Sequence, residues 1–210
     1  MMKLILSLTL IWTLSSTAEA VDCWTGQGTD TKQQELLPCN STELCATVAF
    51  QGYENGTVTQ DTIRFCLSSS IFSEGQHTFS FNDGFGGVAA SVHMCNTDRC
   101  NNQVIPYPAV QKKNNLQCFT CDDRFSAACN KTLQCVGVQD RCISGTVGDI
   151  DDEGGTFPVF GCVSANLCQV VPRLELLLDA KFLHAPKCCG SSFCNSLDSL
   201  LVSSTRTKRN

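Results

Sequence analysis

Sixteen cysteines are the residues of this 210-residue chain with the most chemistry to offer. Their options are zinc ligation, thiol redox cycling and disulfide cross-linking. Cys118-Phe119-Thr120-Cys121 has the spacing of a zinc ligand pair, and equally of a redox-active pair. An even cysteine count in an exported chain points instead to a disulfide framework. The chain opens like an exported one. Lys3 supplies a positive start, Leu4 to Leu14 an apolar run, and Ala18-Glu19-Ala20 a small-residue cleavage site. Residues 1–20 read as a signal peptide and Val21 as the mature start. The apolar run is shorter than the roughly 20 residues a membrane span needs.

Other candidates for chemistry are thin. His77, His93 and His184 are the only histidines, and none sits in an H-E-x-x-H pattern. No G-x-S-x-G nucleophile turn occurs. Asp122-Asp123 reads as a solvated pair beside a cysteine. Asp149, Asp151, Asp152 and Glu153 resemble the start of a calcium loop, but the twelfth position counted from Asp149 is Phe160 rather than Glu. An acidic turn is the plainer reading, with an electrostatic contact for a basic partner between the two. The expectation is a protein that is not an enzyme and needs neither cofactor nor metal.

The elements that hold the cysteines come in two blocks. The second runs Cys118, Cys121, Cys129, Cys135, Cys142, Cys162, Cys168, Cys188, Cys189, Cys194. The first runs Cys23, Cys39, Cys45, Cys66, Cys95, Cys100. Each ends in Cys-x4-Cys-Asn. Aligned on that ending, Cys66 answers to Cys162, Cys45 to Cys142, Cys39 to Cys135 and Cys23 to Cys118. The gaps agree: 20 residues lie between Cys45 and Cys66, and 19 between Cys142 and Cys162. Internal repetition of this kind marks a duplicated unit. Between Cys45 and Cys66, two β-rich runs flank Asn55-Gly56, a strong hairpin signal. Ile143 to Ile150 and Thr156 to Phe160 repeat the pattern. Short strands and abundant cysteine predict small all-β, disulfide-rich domains. The proposed bounds are 21–103, a linker over 104–115, 116–196, and a polar tail over 197–210.

With its ten cysteines and the closing Cys188-Cys189-Gly190-Ser191-Ser192-Phe193-Cys194-Asn195, the chain resembles the urokinase-receptor and lymphocyte-antigen superfamily of three-finger domains. The resemblance covers residues 21–196 and implies two tandem three-finger domains. It implies the pairs Cys118–Cys142, Cys121–Cys129, Cys135–Cys162, Cys168–Cys188 and Cys189–Cys194, and in the first block Cys23–Cys45, Cys39–Cys66 and Cys95–Cys100. The first block departs from the pattern. Gly26 stands for Cys121, Met94 stands for Cys188, and nothing answers Cys129 or Cys168. Both members of two pairs are missing together, so no thiol is orphaned. Looser first and third fingers are expected there.

Asn40, Asn55 and Asn130 begin sequons and are expected to carry glycans. A glycan on Asn55 would mask the tip of the middle finger. Leu174, Leu177, Leu178 and Phe182 fall at helical spacing. They read either as a short helix packed on its own sheet or on domain 1, or as a partner-binding face centred on Leu178 and Phe182. Phe72, Phe79, Phe81 and Phe85 could pack across the domain boundary. Residues 21–103 carry 3 basic and 9 acidic groups, and residues 116–194 carry 6 and 9. That balance excludes nucleic acid as a partner. The tail lacks the apolar stretch of a glycolipid anchor signal, so no membrane anchor is expected. Among two-domain relatives without an anchor, the plan is most similar to the gamma-type inhibitors of secreted phospholipase A2. Gly161 to Cys168 also resembles the urokinase receptor's domains. The resemblance implies a secreted binding protein, an inhibitor of an extracellular enzyme such as that phospholipase. The alternative is a receptor-like or ligand-like adhesion module with another extracellular protein as partner.

Overall fold

The computed structural model describes residues 20–54, 56–123, 126, 128–148, 155–173 and 181–196. In the N-terminal half, strands β1 (Asp22–Gln27) and β2 (Glu35–Pro38) form one antiparallel pair. Strands β3 (Glu43–Glu54) and β4 (Thr57–Ser68) form a long hairpin in which Glu54 faces Thr57. Its turn holds Gly56 at φ 78°, a left-handed conformation that glycine adopts without steric cost. Asn55 itself lies outside the described residues. Strands β5 (Gly75–Asn82) and β6 (Gly86–Cys95) complete the half. The C-terminal half has β7 (Lys113–Thr120) paired with β8 (Lys131–Val136). Strands β9 (Arg141–Gly148), β10 (Thr156–Val163) and β11 (Lys181–Cys189) follow. β7 begins inside the stretch expected to be linker. One short helix, α1 (Ala165–Val170), precedes a 3-10 turn at Val171–Arg173.

Nine strands form one sheet in the order β11-β9-β10-β5-β6-β3-β4-β1-β2, so a single sheet runs through both halves. The fold is all-β and disulfide-rich.

The structure closes eight disulfides: Cys23–Cys45, Cys39–Cys66, Cys95–Cys100, Cys118–Cys142, Cys121–Cys129, Cys135–Cys162, Cys168–Cys188 and Cys189–Cys194. None crosses between the halves. Each half has a cystine cluster at its base, where Cys39 Sγ lies 2.9 Å from Cys23 Sγ and Cys118 Sγ lies 3.3 Å from Cys135 Sγ.

The asparagine after the last cysteine ties each cluster to its strands. Asn101 accepts from the Trp24 amide at 3.0 Å and donates to the Trp24 and Ala46 carbonyls at 2.9 and 3.1 Å. Asn195 accepts from the Phe119 amide at 2.9 Å and donates to the Phe119 and Ile143 carbonyls, both at 2.9 Å. Trp24 follows Cys23 as Phe119 follows Cys118, and Ala46 follows Cys45 as Ile143 follows Cys142. The two clamps are the same device. Even the residue two before each asparagine repeats: Arg99 and Phe193 both have positive φ, 58° and 62°.

Where the N-terminal half lacks cystines, other residues fill the same places. Gln34 lies eleven residues after Cys23, as Cys129 lies eleven after Cys118. Gln34 therefore answers Cys129, which the sequence reading left without a counterpart. Gly26 faces it so closely that an added Cβ would come 2.8 Å from Gln34 Cγ. In the C-terminal half the Cys121–Cys129 bridge packs on Phe160. The N-terminal residue at that position is Arg64, only 1% exposed. Its Nε donates to the Asn101 carbonyl at 2.7 Å, its NH1 to the Gly28 carbonyl at 2.8 Å and Gln34 Oε1 at 3.3 Å, and its NH2 to the Gln103 carbonyl at 3.2 Å. Burial lowers the pKa of the guanidinium, and these acceptors offset the desolvation. A polar trio thus stands where the other half has a bridge and an aromatic ring. The second missing pair is replaced by packing. Phe72 lies six residues after Cys66, as Cys168 does after Cys162. Phe72 and Met94 are both buried in the main core cluster.

The polar trio carries a test. Replacing Arg64 by Met leaves buried acceptors unpaired and should lower the unfolding free energy by about 1–3 kcal/mol. Transplanting the other half's solution, with Gly26→Cys, Gln34→Cys and Arg64→Phe together, should not recover that loss, because Gly26 has φ 149°, where any side chain is strained. Urea unfolding with disulfides intact measures both. An Arg64→Met midpoint equal to the parent's would remove the trio from any structural role.

Candidate partner-binding groove

The two halves meet along β5 and β10. Asn82 pairs with Cys162, and Phe81 with Val163. Beyond the ladder, the Ser164 amide donates to the Ser80 carbonyl at 2.9 Å, and the Ser80 amide donates to Ser164 Oγ at 3.1 Å. That use of the hydroxyl explains why Ser164 precedes α1 without capping it by its side chain. Asp140 Oδ1 accepts the Ala165 amide instead, at 2.8 Å. Gln139, almost fully buried, donates to Ser80 Oγ at 2.8 Å and accepts from the Val136 amide at 3.0 Å. Asn166 donates to the Thr78 carbonyl at 2.7 Å, and Arg173 NH1 to that of Ser70. Thr120 Oγ1 donates to the Asp83 carbonyl.

Apolar packing crosses the same seam. The main core joins Leu44, Val48, Phe72, Val92 and Met94 to Ile143, Val163, Leu167, Val170 and Val171. Phe79 and Phe81 pack against it, while Phe85 packs on Cys121, Cys129 and Phe160. The backbones approach so closely that a Cβ on Gly161 would collide with the Asn82 carbonyl.

Beside the seam lies a groove. One cavity of about 480 Å³ is bounded by Tyr53, Glu54, Val58, Phe81, Phe85 and Val110, with the seam residues Ser80 and Gln139 at its side. A second of about 530 Å³ shares Tyr53, Glu54 and Phe81 with it and adds Asp83. Val58 is 53% exposed and Val110 86% exposed. β3 and β4 supply one wall, the β5–β6 hairpin a second, and the connection before β7 a third. Among the described residues, no site constellation of nucleophile and base lines it.

With ten cysteines paired over a three-finger arrangement of β7 to β11, the C-terminal half takes its place among known domains. Its sequence matches the family model of the u-PAR/Ly-6 domain over residues 114–197. Domains of the u-PAR/Ly-6 family are generally binding modules and typically extracellular or surface-linked. No helix among the described residues is long and apolar enough to cross a membrane.

The residues singled out in the sequence divide sharply. Cys118 and Cys121 are in separate disulfides, so neither is a thiolate for zinc or redox work. The close cysteine trios at Cys23, Cys39, Cys66 and at Cys118, Cys135, Cys162 are likewise cystine sulfurs. His77 Nε2 lies 2.8 Å from the Ser73 carbonyl, and His93 lies against Gln103. Asn40 and Asn130 are exposed, as a glycan requires. Leu174, Leu177, Leu178, Asp149, Asp151, Asp152 and Glu153 lie outside the described residues, as do residues 1–19 and 197–210. Phe182 is described, and there the structure corrects the sequence reading. It sits in strand β11 rather than on a helix, opposite Val147. It is part-buried against the main core, so exposure does not recommend it as a partner contact. Sequence reasoning missed α1, which is too short for a helical period to show. It also missed the groove, whose walls come from both halves.

The close approach at Gly161 gives a prediction. Gly161→Val should open the seam at a cost of about 1–3 kcal/mol, the usual range for overpacking, with all eight disulfides retained. Amide exchange at Ser80 and Ser164 should quicken markedly, while Asn101- and Asn195-clamped amides stay protected. Unchanged exchange at Ser80 would mean that the halves do not depend on this contact.

Proposed function

We propose that the chain is a secreted, glycosylated, non-enzymatic binding protein built of two tandem three-finger domains, residues 21–103 and 116–196. The observation that carries the two-domain reading is the duplicated asparagine clamp, with Asn101 and Asn195 making the same three hydrogen bonds at matching positions. Independent domains would need no seam. This pair shares a core and a sheet, which holds the walls of the groove in fixed relation. Preorganisation of that kind lowers the entropic cost of binding. The groove is the binding face, and the role is inhibition of an extracellular enzyme, with a secreted phospholipase A2 as the first candidate. Support for that target is the similarity in plan to the gamma-type inhibitors.

A second reading is an adhesion or signalling module, favoured by the separate resemblance of Gly161 to Cys168 to the urokinase receptor's domains. The mature protein, expressed with its glycans, decides between them. It should appear in culture medium, bind an immobilised secreted phospholipase A2 and slow its hydrolysis of phospholipid vesicles. Binding of a protease or matrix protein with no effect on the phospholipase selects the second reading. Protein retained on cells and released by phosphatidylinositol-specific phospholipase C would refute secretion without an anchor.

A further inference from the structure

We propose that two copies of the chain pair antiparallel along the outer edge of β4, with Val58 of one copy opposite Val58 of the other. Among the described strands, only the base of β4 has an outer neighbour. β1 pairs with it at Arg64 and Ile63, and the Gly28 amide donates to the Thr62 carbonyl at 2.7 Å. The main chain of Thr62 is therefore turned outward, and by the alternation of an antiparallel ladder so are those of Gln60 and Val58. Their outward amides and carbonyls face no described strand. Thr57, Val58, Thr59 and Gln60 are all exposed.

This stretch lacks the devices that guard the two ends of the sheet. At one end, β11 carries two register shifts together with Lys181, Pro186 and Lys187. At the other end, β2 is four residues long and closes on Pro38. Bulges, prolines, lysines and short length all discourage pairing with another chain. β4 has none of these from Thr57 to Gln60. Its register with β3 is unbroken there, and no residue is charged or proline.

The residues on the edge indicate what fits it. Thr57-Val58-Thr59 reads the same in both directions. Antiparallel pairing centred on Val58 sets valine on valine and threonine on threonine at both flanks, and matches of that kind stabilise cross-strand neighbours. The two Val58 residues exchange amide-to-carbonyl hydrogen bonds. Such a contact is isologous, so it consumes the edge of both copies and stops at a dimer. Charge points the same way. Residues 21–103 carry 9 acidic and 3 basic groups, which repels one copy from another in most orientations. The uncharged edge is a place where they can meet. Val58, 53% exposed in the single chain, is covered in the pair. Directly opposite residues share a sheet face, so the two grooves bordered by Val58 open side by side.

The test uses the mature protein from Val21 with its disulfides intact. It is run on the protein as secreted and on Asn55→Gln, because the sequon at Asn55 begins three residues before Val58. Sedimentation at rising concentration should show a monomer–dimer equilibrium in at least one of these forms. Amide exchange at Val58 and Gln60 should slow as the dimer fills. Val58→Lys and Val58→Glu should each weaken the dimer about fivefold or more, since like charges then stand directly opposite. Mixed in equal amounts, the two variants should form a heterodimer in which lysine faces glutamate. Val58 is exposed enough to change without unfolding the chain, and disulfide mapping checks this. Monomer in both forms at every concentration overturns the inference. So does a dimer that tolerates Val58→Lys or leaves the Val58 and Gln60 amides unprotected, since its contact lies elsewhere. Failure of the lysine and glutamate variants to pair when mixed overturns the Val58-centred register and the proposal with it.

Discussion

A β-domain of this size cannot bury enough apolar surface to offset its own conformational entropy, and everything else in the structure answers to that shortage. Cystines are the first answer. They cluster at the base of each half, where they act as core and as cross-link together. Each is worth about 2–5 kcal/mol in a small exported domain, chiefly by restricting the unfolded chain. The second answer is shared burial. The main cluster draws on both halves, so each completes the other's core. The clamps at Asn101 and Asn195 bind the two solutions together, because they join the closing loop of each half to the strands that carry its cystines.

The N-terminal half shows how four cysteines can be dispensed with. Each lost bridge is replaced according to its surroundings. Cys168–Cys188 gives way to Phe72 and Met94, which supply apolar volume in a place that was already apolar. Cys121–Cys129 gives way to Gly26 and Gln34, and there the adjacent Phe160 position becomes Arg64. The Gln34 side-chain nitrogen donates to the Gly28 carbonyl at 2.9 Å, but beside a phenylalanine its oxygen would lose the Arg64 donor. Paired with a guanidinium, it becomes one acceptor among several. The substitutions at Gln34 and Arg64 are therefore one change, not two. The expectation of looser fingers treated the missing cystines as simple losses, and at both places the structure has a packed replacement.

Much of the fold was legible because cysteine spacing and β-turn chemistry are local signals. The Cys-x4-Cys-Asn endings gave the repeat, and Asn55-Gly56 gave the β3–β4 hairpin, whose register the structure carries from Glu43 to Glu54. The counterparts of Cys129 and Cys168 were legible too, by counting forward from Cys23 and Cys66 rather than searching for another cysteine. The seam was not. It depends on Ser80, Gln139, Ser164 and Gly161, residues whose types are ordinary and whose partners lie about as far away as the repeat itself. Phe182 misled for the opposite reason. Its spacing from Leu178 fits a helix, but strand pairing with Val147 decides its conformation, and tertiary pairing overrides a short periodic signal.

The groove follows from the same economy. Two domains that shared nothing would present six separate finger tips on a flexible connection. Fusing β5 to β10 spends the free edge of each half on the other, which removes an exposed edge and the aggregation hazard that goes with it. It also sets the β5–β6 hairpin and the connection around Val110 at a fixed distance from the tip of β3 and β4. The concavity between them is a by-product of joining the sheets, and its walls are as rigid as the seam. On the proposed reading of the groove as the binding face, stability and recognition draw on one set of contacts. A change that loosens Ser80, Gln139 or Gly161 should cost both at once, whereas a change at Val58 or Val110 should touch recognition alone.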